Sequence, residues 1–261
     1  MTNIIGRKQV SDNGKWLYAV EHIESLITEA EVSKLADEAV SRIKGAAKGK
    51  KAAYGWSGGK DSIVLSKLCQ SAGVTDCFFG HCDLEFPAFL SWAISNMPDG
   101  CKEINTGIDM KWLSDHRNML FVDDAKRLNS WYALVQRKAF SEYFRSEQPD
   151  MLIVGHRVLD GNVCGSGGYI RKKGGEVRYA PIADWPHEAI LGFIHYNGLE
   201  LPPTYAWDDG YVFGPTPWPI WGHPKSEADG WRMIYELDPS ILLEAAKWFE
   251  SAKHFLTEVQ A

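Results

Sequence analysis

No run of eighteen apolar residues occurs in the chain, so a membrane-spanning helix is not expected. The five cysteines, Cys69, Cys77, Cys82, Cys101 and Cys164, are odd in number and form no CxxC. A disulfide framework and a zinc knuckle are therefore not indicated. The stretch "MTNIIGRKQV" has no apolar signal core, and a reducing cytoplasm is the expected compartment. Positive charge is also short: 28 Lys and Arg stand against 34 Asp and Glu, a net charge of −6. Proteins that hold nucleic acid through many phosphates carry a basic field, so such a partner is expected only through a local patch. Arg171, Lys172, Lys173 and Arg178 form that patch, and a solvated hairpin explains them equally well.

What is present is globular. The 261 residues are 45% hydrophobic and 24% charged, enough for one large or two small domains. Residues 4 to 20 read as a hairpin around Asn13-Gly14, a favourable type I′ turn pair. Apolar spacing predicts a helix over 24–44. "AAYGW" (52–56) reads as a buried strand, followed by a helix over 61–73. Strands at 75–84 and 101–107 flank a helix at 85–97. A long amphipathic helix over 130–146 precedes a strand at 150–158. A short strand within 176–185 and a helix over 186–198 follow. This alternation predicts an α/β fold, a parallel twisted sheet with helices on both faces. Three segments are expected: 1–48, the hairpin and helix; 49–205, the domain of alternating strands and helices; and 206–261, a Trp/Pro-rich segment with C-terminal helices, one of them over 240–256.

The sharpest feature is "SGGKDS" at 57–62, between a strand and a helix. The first N–H groups of a helix lack internal partners, and the helix dipole makes that end partially positive. Glycines let the chain curl so that several N–H groups face one anion. Lysine adds a point charge and serine adds hydroxyl donors. A Walker loop, GxxxxGK[ST], does not fit, because Asp61 follows Lys60 and Tyr54 stands five before Gly59. A Rossmann GxGxxG does not fit either.

"SGGKDS" resembles the PP-loop of the ATP pyrophosphatase superfamily, whose signature is SGGxDS. Further along, the chain resembles the phosphoadenosine phosphosulfate (PAPS) reductase family. "HCDLEFPAFLSW" is similar to its DTGxxFPET segment through Asp83 and Phe86-Pro87. "VGHRVLDGN" is similar to GxRxxES through Gly155 and Arg157, with Asp160 and Gly161 in place of Glu-Ser. "RYAPIADWPHEAILGFIHYNGLELPPTY" carries Pro181, Ile182, Trp185, Ile190, Ile194, Pro203 and Tyr205 of a third motif. The likeness spans roughly residues 30 to 205. It implies an adenine nucleotide alpha hydrolase-like fold, and ATP with Mg²⁺ as ligands. It also implies cleavage of ATP between the α and β phosphates to adenylylate an acceptor such as sulfate, a nucleobase carbonyl or a carboxylate. Superfamily members often pair, so a homodimer is the assembly the resemblance suggests.

The resemblance gives roles to particular residues. Ser57, Gly58, Gly59, Lys60, Asp61 and Ser62 would cradle phosphates, Lys60 and Asp61 being the catalytic pair. Asp61 and Asp83 would hold Mg²⁺. Gly155 and Arg157 would complete the nucleotide site. Arg137, Lys138 and Arg171 are candidates for an anionic substrate, and each alone also reads as a surface charge. Glu85 is open between an acid at the strand end and a helix cap. His81 and His156 read as structural histidines. Trp207, Tyr211, Phe213, Trp218 and Trp221 read as core, or else as a cover over the site. Two departures matter: no cysteine follows Cys164, whereas PAPS reductases attack sulfur with a C-terminal cysteine, and the CC…CxxC set by which adenylyl-sulfate reductases hold an iron–sulfur cluster is absent. Two alternatives stay open, a sulfonucleotide reductase using Cys164 or a partner thiol, and a non-catalytic nucleotide-binding regulatory module.

Overall fold

The computed structural model describes residues 4–6, 12–171, 175–222 and 224–260. Its centre is a six-stranded sheet, built from β1 (Ala52–Trp56), β2 (Cys77–His81), β3 (Lys102–Asn105), β4 (Met151–Ile153), β5 (Tyr169–Arg171) and β6 (Val177–Tyr179). The spatial order is β3-β2-β1-β4-β6-β5. All neighbours are parallel except β5 and β6, which run antiparallel. The chain steps outward from β1 to β2 to β3, then returns to place β4 on the other side of β1. The crevice between the carboxyl ends of β1 and β4 is thus the switch point, where open α/β sheets bind ligands.

Strand residues alternate between two cores, as the period of two requires. Tyr54, Trp56, Cys77, Phe79, Met151 and Ile153 face the larger core. Ala53, Phe78, Ile104 and Leu152 face a smaller one with Ala139 and Tyr143. The first face is covered by α3 (Glu29–Ala47), α4 (Lys60–Ser71) and α9 (His187–Tyr196), and the second by α8 (Lys138–Glu147). α8 lies so close to β2 that a Cβ on Gly80 would stand 2.3 Å from the Ala139 Cβ. The larger core holds residues of all three expected segments, from Ile5 and Trp16 through the sheet to Phe255.

Several expectations need correction. The hairpin over 4–20 does not form: Asn13–Glu21 is the helix α1, begun by the Asp12 carboxylate, which accepts from Lys15 N. Residues 7–11 of that hairpin lie outside the described residues. Asn13-Gly14 therefore sits in a first helical turn, because Asp12 supplies a cap that a turn-pair argument does not weigh. The helix over 24–44 is two, α2 (Ile23–Leu26) and α3, divided at Thr28, whose capping box with Glu31 starts the second. The helix over 130–146 contains a π-helical stretch, Ala133–Arg137, between α7 (Ala125–Tyr132) and α8. The C-terminal helix over 240–256 is broken into α12 (Pro239–Ala245) and α13 (Glu250–Gln260), after α11 (Glu227–Leu237) capped by Ser226. Of the segment 205–224, residues 205–222 hold only short helical turns, including α10 (Gly210–Phe213); residue 223 lies outside the described residues.

Candidate functional site

The loop after β1 curls as its glycines predict. Gly58 has φ +68°, and a Cβ there would meet the Phe89 ring at 2.9 Å, so both backbone and space require glycine. Gly59 caps α4, and its carbonyl accepts from Ser62 N and Ile63 N at 2.9 and 3.0 Å. The serines brace the curl: Ser62 Oγ accepts from Ser57 N at 3.0 Å and lies 3.2 Å from Ser57 Oγ. Ser57 Oγ accepts from Gly59 N at 3.4 Å.

Lys60 and Asp61 open α4. Lys60 is 2% exposed, and its Nζ donates to Asp61 Oδ2 at 2.7 Å and lies 5.0 Å from the centre of the Trp16 ring. Its backbone N–H donates to Tyr205 Oη at 3.0 Å. The second oxygen of Asp61, Oδ1, accepts from Arg157 Nε at 2.6 Å. Arg157 has no exposed surface. Its other donors reach the Trp185 carbonyl at 3.1 Å, Asp160 at 2.9 Å and His187 Nδ1 at 2.9 Å. His187 Nδ1 must accept here, since a guanidinium only donates. Gly155, between β4 and Arg157, lets the two loops approach: a Cβ there would lie 3.3 Å from the Asp61 carbonyl.

The structure thus gathers Ser57, Gly58, Gly59, Lys60, Asp61, Ser62, Gly155 and Arg157 in one crevice. The remaining candidates are exposed, two of them with other partners. Asp83 is exposed after β2 and accepts from Asn105 Nδ2. Arg137 and Lys138 are exposed, and Lys138 Nζ donates to the Thr106 carbonyl at 2.7 Å. Arg171 is exposed on β5. Among the described residues, none of these four bonds to the loop. Arg178 is buried instead of solvated, pairing with Glu176 and lying 4.2 Å from the Phe140 ring centre, while Lys172 and Lys173 lie outside the described residues. His81 is structural, buried and 2.8 Å from Glu103. The Trp-rich segment is largely core: Phe86 makes edge contacts with Trp207 and Trp221 at 4.8 and 5.4 Å.

Glu85 is not a helix cap. It is 8% exposed, its Oε1 faces Cys82 Sγ at 3.8 Å, and Oε2 has no partner among the described residues. Desolvation pushes its carboxyl up to about 8. Cys164 is half-buried with Sγ toward the His156 carbonyl at 3.8 Å; burial and then Asp160 push its thiol up. Sequence reasoning missed three residues at the site, Trp16, His187 and the hydroxyl role of Tyr205. Only Tyr205 carried a signal, through its place in the third motif.

A Gly-rich loop at the switch point of a largely parallel sheet marks an α/β protein with a candidate ligand crevice at its strand ends. The chain belongs to the phosphoadenosine phosphosulfate reductase domain family, which matches residues 51–212. Solved structures to which the chain shows similarity include the PAPS reductase of Candida auris in a phosphate complex: 11% identity, TM-score 0.49, 67% of this chain and 90% of that one. Another is the NH3-dependent NAD synthetase of Campylobacter jejuni with nitrate: 15% identity, TM-score 0.47, covering 87% and 94%. A third is the U34-tRNA thiolase NcsA of Methanococcus maripaludis with its [4Fe-4S] cluster: 14% identity, TM-score 0.41, covering 88% and 80%. No curated protein matches the sequence.

Proposed function

We propose that the chain binds an adenine nucleotide with its phosphates at the 57–62 loop, and cleaves ATP between the α and β phosphates to adenylylate an acceptor oxygen. The observation that carries this reading is the loop itself: a glycine curl and the first turn of α4, held at the switch point by the Asp61–Arg157 pair. In the reaction the acceptor oxygen bonds to the α phosphorus, the bond to the bridging oxygen breaks, and pyrophosphate leaves with the electron pair. Backbone N–H groups of the loop and the dipole of α4 stabilise the charge that builds on the leaving group. Ser57 and Ser62 add hydroxyls, and Lys60 adds a cation beneath the curl. Arg157 acts as a positioning residue, because its donors are already taken by Asp61, Asp160, His187 and Trp185.

Mg²⁺ does not fit at Asp61 in this arrangement. Both carboxylate oxygens face cations, Lys60 and Arg157. Among the described residues, no cluster of three metal-ligating side chains occurs. Asp83 is the exposed carboxylate near the strand ends.

One observation speaks for adenylylation over sulfonucleotide reduction at Cys164. The Cys164 thiol itself is raised by burial and Asp160, the reverse of what a nucleophilic thiolate needs. Acceptor-dependent release of pyrophosphate from ATP tests the reading. Lys60→Ala and Asp61→Ala are expected to abolish that release; unchanged turnover in both refutes it.

A further inference from the structure

We propose that the Tyr205 hydroxyl holds the anion seat closed and that an entering phosphate displaces it, so that Tyr205, Tyr211, Pro215 and Trp16 form a cover coupled to ligand entry. The inference rests on the nucleotide reading above. Tyr205 Oη accepts from Lys60 N–H at 3.0 Å. That N–H lies in the first turn of α4, among the groups an anion at a helix N-terminus takes. One N–H makes one well-aligned hydrogen bond, so the hydroxyl and a phosphate oxygen compete for it. Among the described residues no acceptor takes the hydroxyl's own proton, so release of Tyr205 breaks a single bond.

The cover is continuous in space. Tyr205 is 6% exposed and packs against Tyr211 with ring centres 5.1 Å apart. Tyr211 stacks on Trp16 at 5.8 Å and 13°, and the Trp16 ring lies 5.0 Å from Lys60 Nζ. Tyr211 N also donates to Asn13 Oδ1 at 3.4 Å, which ties α10 to α1. Pro215 closes the other side: its ring carbon would lie 3.5 Å from a Cβ on Gly59. The backbone turns through positive φ at Asp209 (58°) and Gly214 (62°), on either side of α10. Residues 145 positions apart in sequence therefore meet at one of the donors that an anion at the start of α4 would take.

Tyr205→Phe keeps the ring and removes the hydroxyl. The probe is inorganic pyrophosphate, titrated calorimetrically into the full chain at fixed ionic strength. The variant is expected to bind about three- to tenfold more tightly than wild type, because its free state has lost a hydrogen bond absent from the bound state. The Lys60 amide should exchange faster with solvent in the free variant, with protection restored by pyrophosphate. In wild type labelled with 3-fluorotyrosine, pyrophosphate should shift the Tyr205 resonance, a reading that does not depend on the variant folding. Equal or weaker binding by the variant, no binding by either protein, or an unmoved Tyr205 signal at saturation overturns the proposal. Tight pyrophosphate binding with no binding of ATP or PAPS would instead sink the nucleotide reading, and leave the displaced hydroxyl standing.

Discussion

Arg157 and Asp61, 96 positions apart, form an ion pair at 2.6 Å in which the guanidinium has no exposed surface. This pair ties the loop after β4 to the first turn of α4, and so sets the shape of the seat. The carboxylate remains partly accessible, with a side-chain exposure of 21%.

Arg157→Ala leaves Asp160 and Asp61 with fewer cationic partners in a buried setting. Breaking a buried pair from one side costs roughly 3–5 kcal/mol. Denaturant unfolding of the variant should show a loss of that order. Arg157→Lys should recover only part of it, because an ammonium cannot reproduce the guanidinium's contacts with Asp61, Asp160, His187 and Trp185 together. A loss below about 1 kcal/mol for Arg157→Ala would contradict this account.

Glu85 makes stability depend on pH. Its folded value, about 8, lies above the 4.5 of a free glutamate, so the folded state binds the proton more tightly. The contribution is fully present below 4.5 and is lost as pH rises through 8. Within that window stability should fall by up to about 1.4 kcal/mol per pH unit. Thermal melts of Glu85→Gln should lose most of this decline and lie above wild type at pH 8. Parallel curves for the two proteins would assign the pH dependence to other groups.

Close approach fixes Gly58 and Gly80. Gly58→Ala must place a Cβ against Phe89 at 2.9 Å from a left-handed backbone, and anion binding at the loop should fall with it. Gly80→Ala forces a Cβ to within 2.3 Å of Ala139, which should separate β2 from α8 and cost about 1–3 kcal/mol. The first variant should lose pyrophosphate affinity with a modest change in melting temperature. The second should lose stability while keeping affinity, since Gly80 is on the β2 strand and not in the loop.

Cys164→Ser should leave acceptor-dependent pyrophosphate release unchanged, because burial and then Asp160 raise the thiol. Incubation of the wild type with PAPS and a thiol donor should yield no sulfite. Sulfite that appears, and disappears in the variant, would restore the reductase alternative.

The Gly-rich curl before α4 was legible in the sequence because its causes are local. Six adjacent residues supply the curl, the helix start, the hydroxyls and the charge, and the flanking apolar runs show a strand before and a helix after. The parallel sheet was legible for a similar reason, since β1, β2 and β4 are short apolar runs divided by helical spacing. Elements whose fate depends on one capping contact were read wrongly. Asp12 turned Asn13-Gly14 into a helix start, and Thr28 with Glu31 divided what looked like one helix.

By itself, the sequence determined that a glycine-rich curl opens a helix at the end of a buried strand, because curl and helix start follow from neighbouring residues. Only the tertiary structure decided what meets that curl. Arg157 became a strut through its four partners, Arg178 turned into the smaller core, and Tyr205 came to rest on the Lys60 amide. Each of those outcomes depends on chain segments brought together by sheet order and core packing, and no local pattern encodes such a meeting.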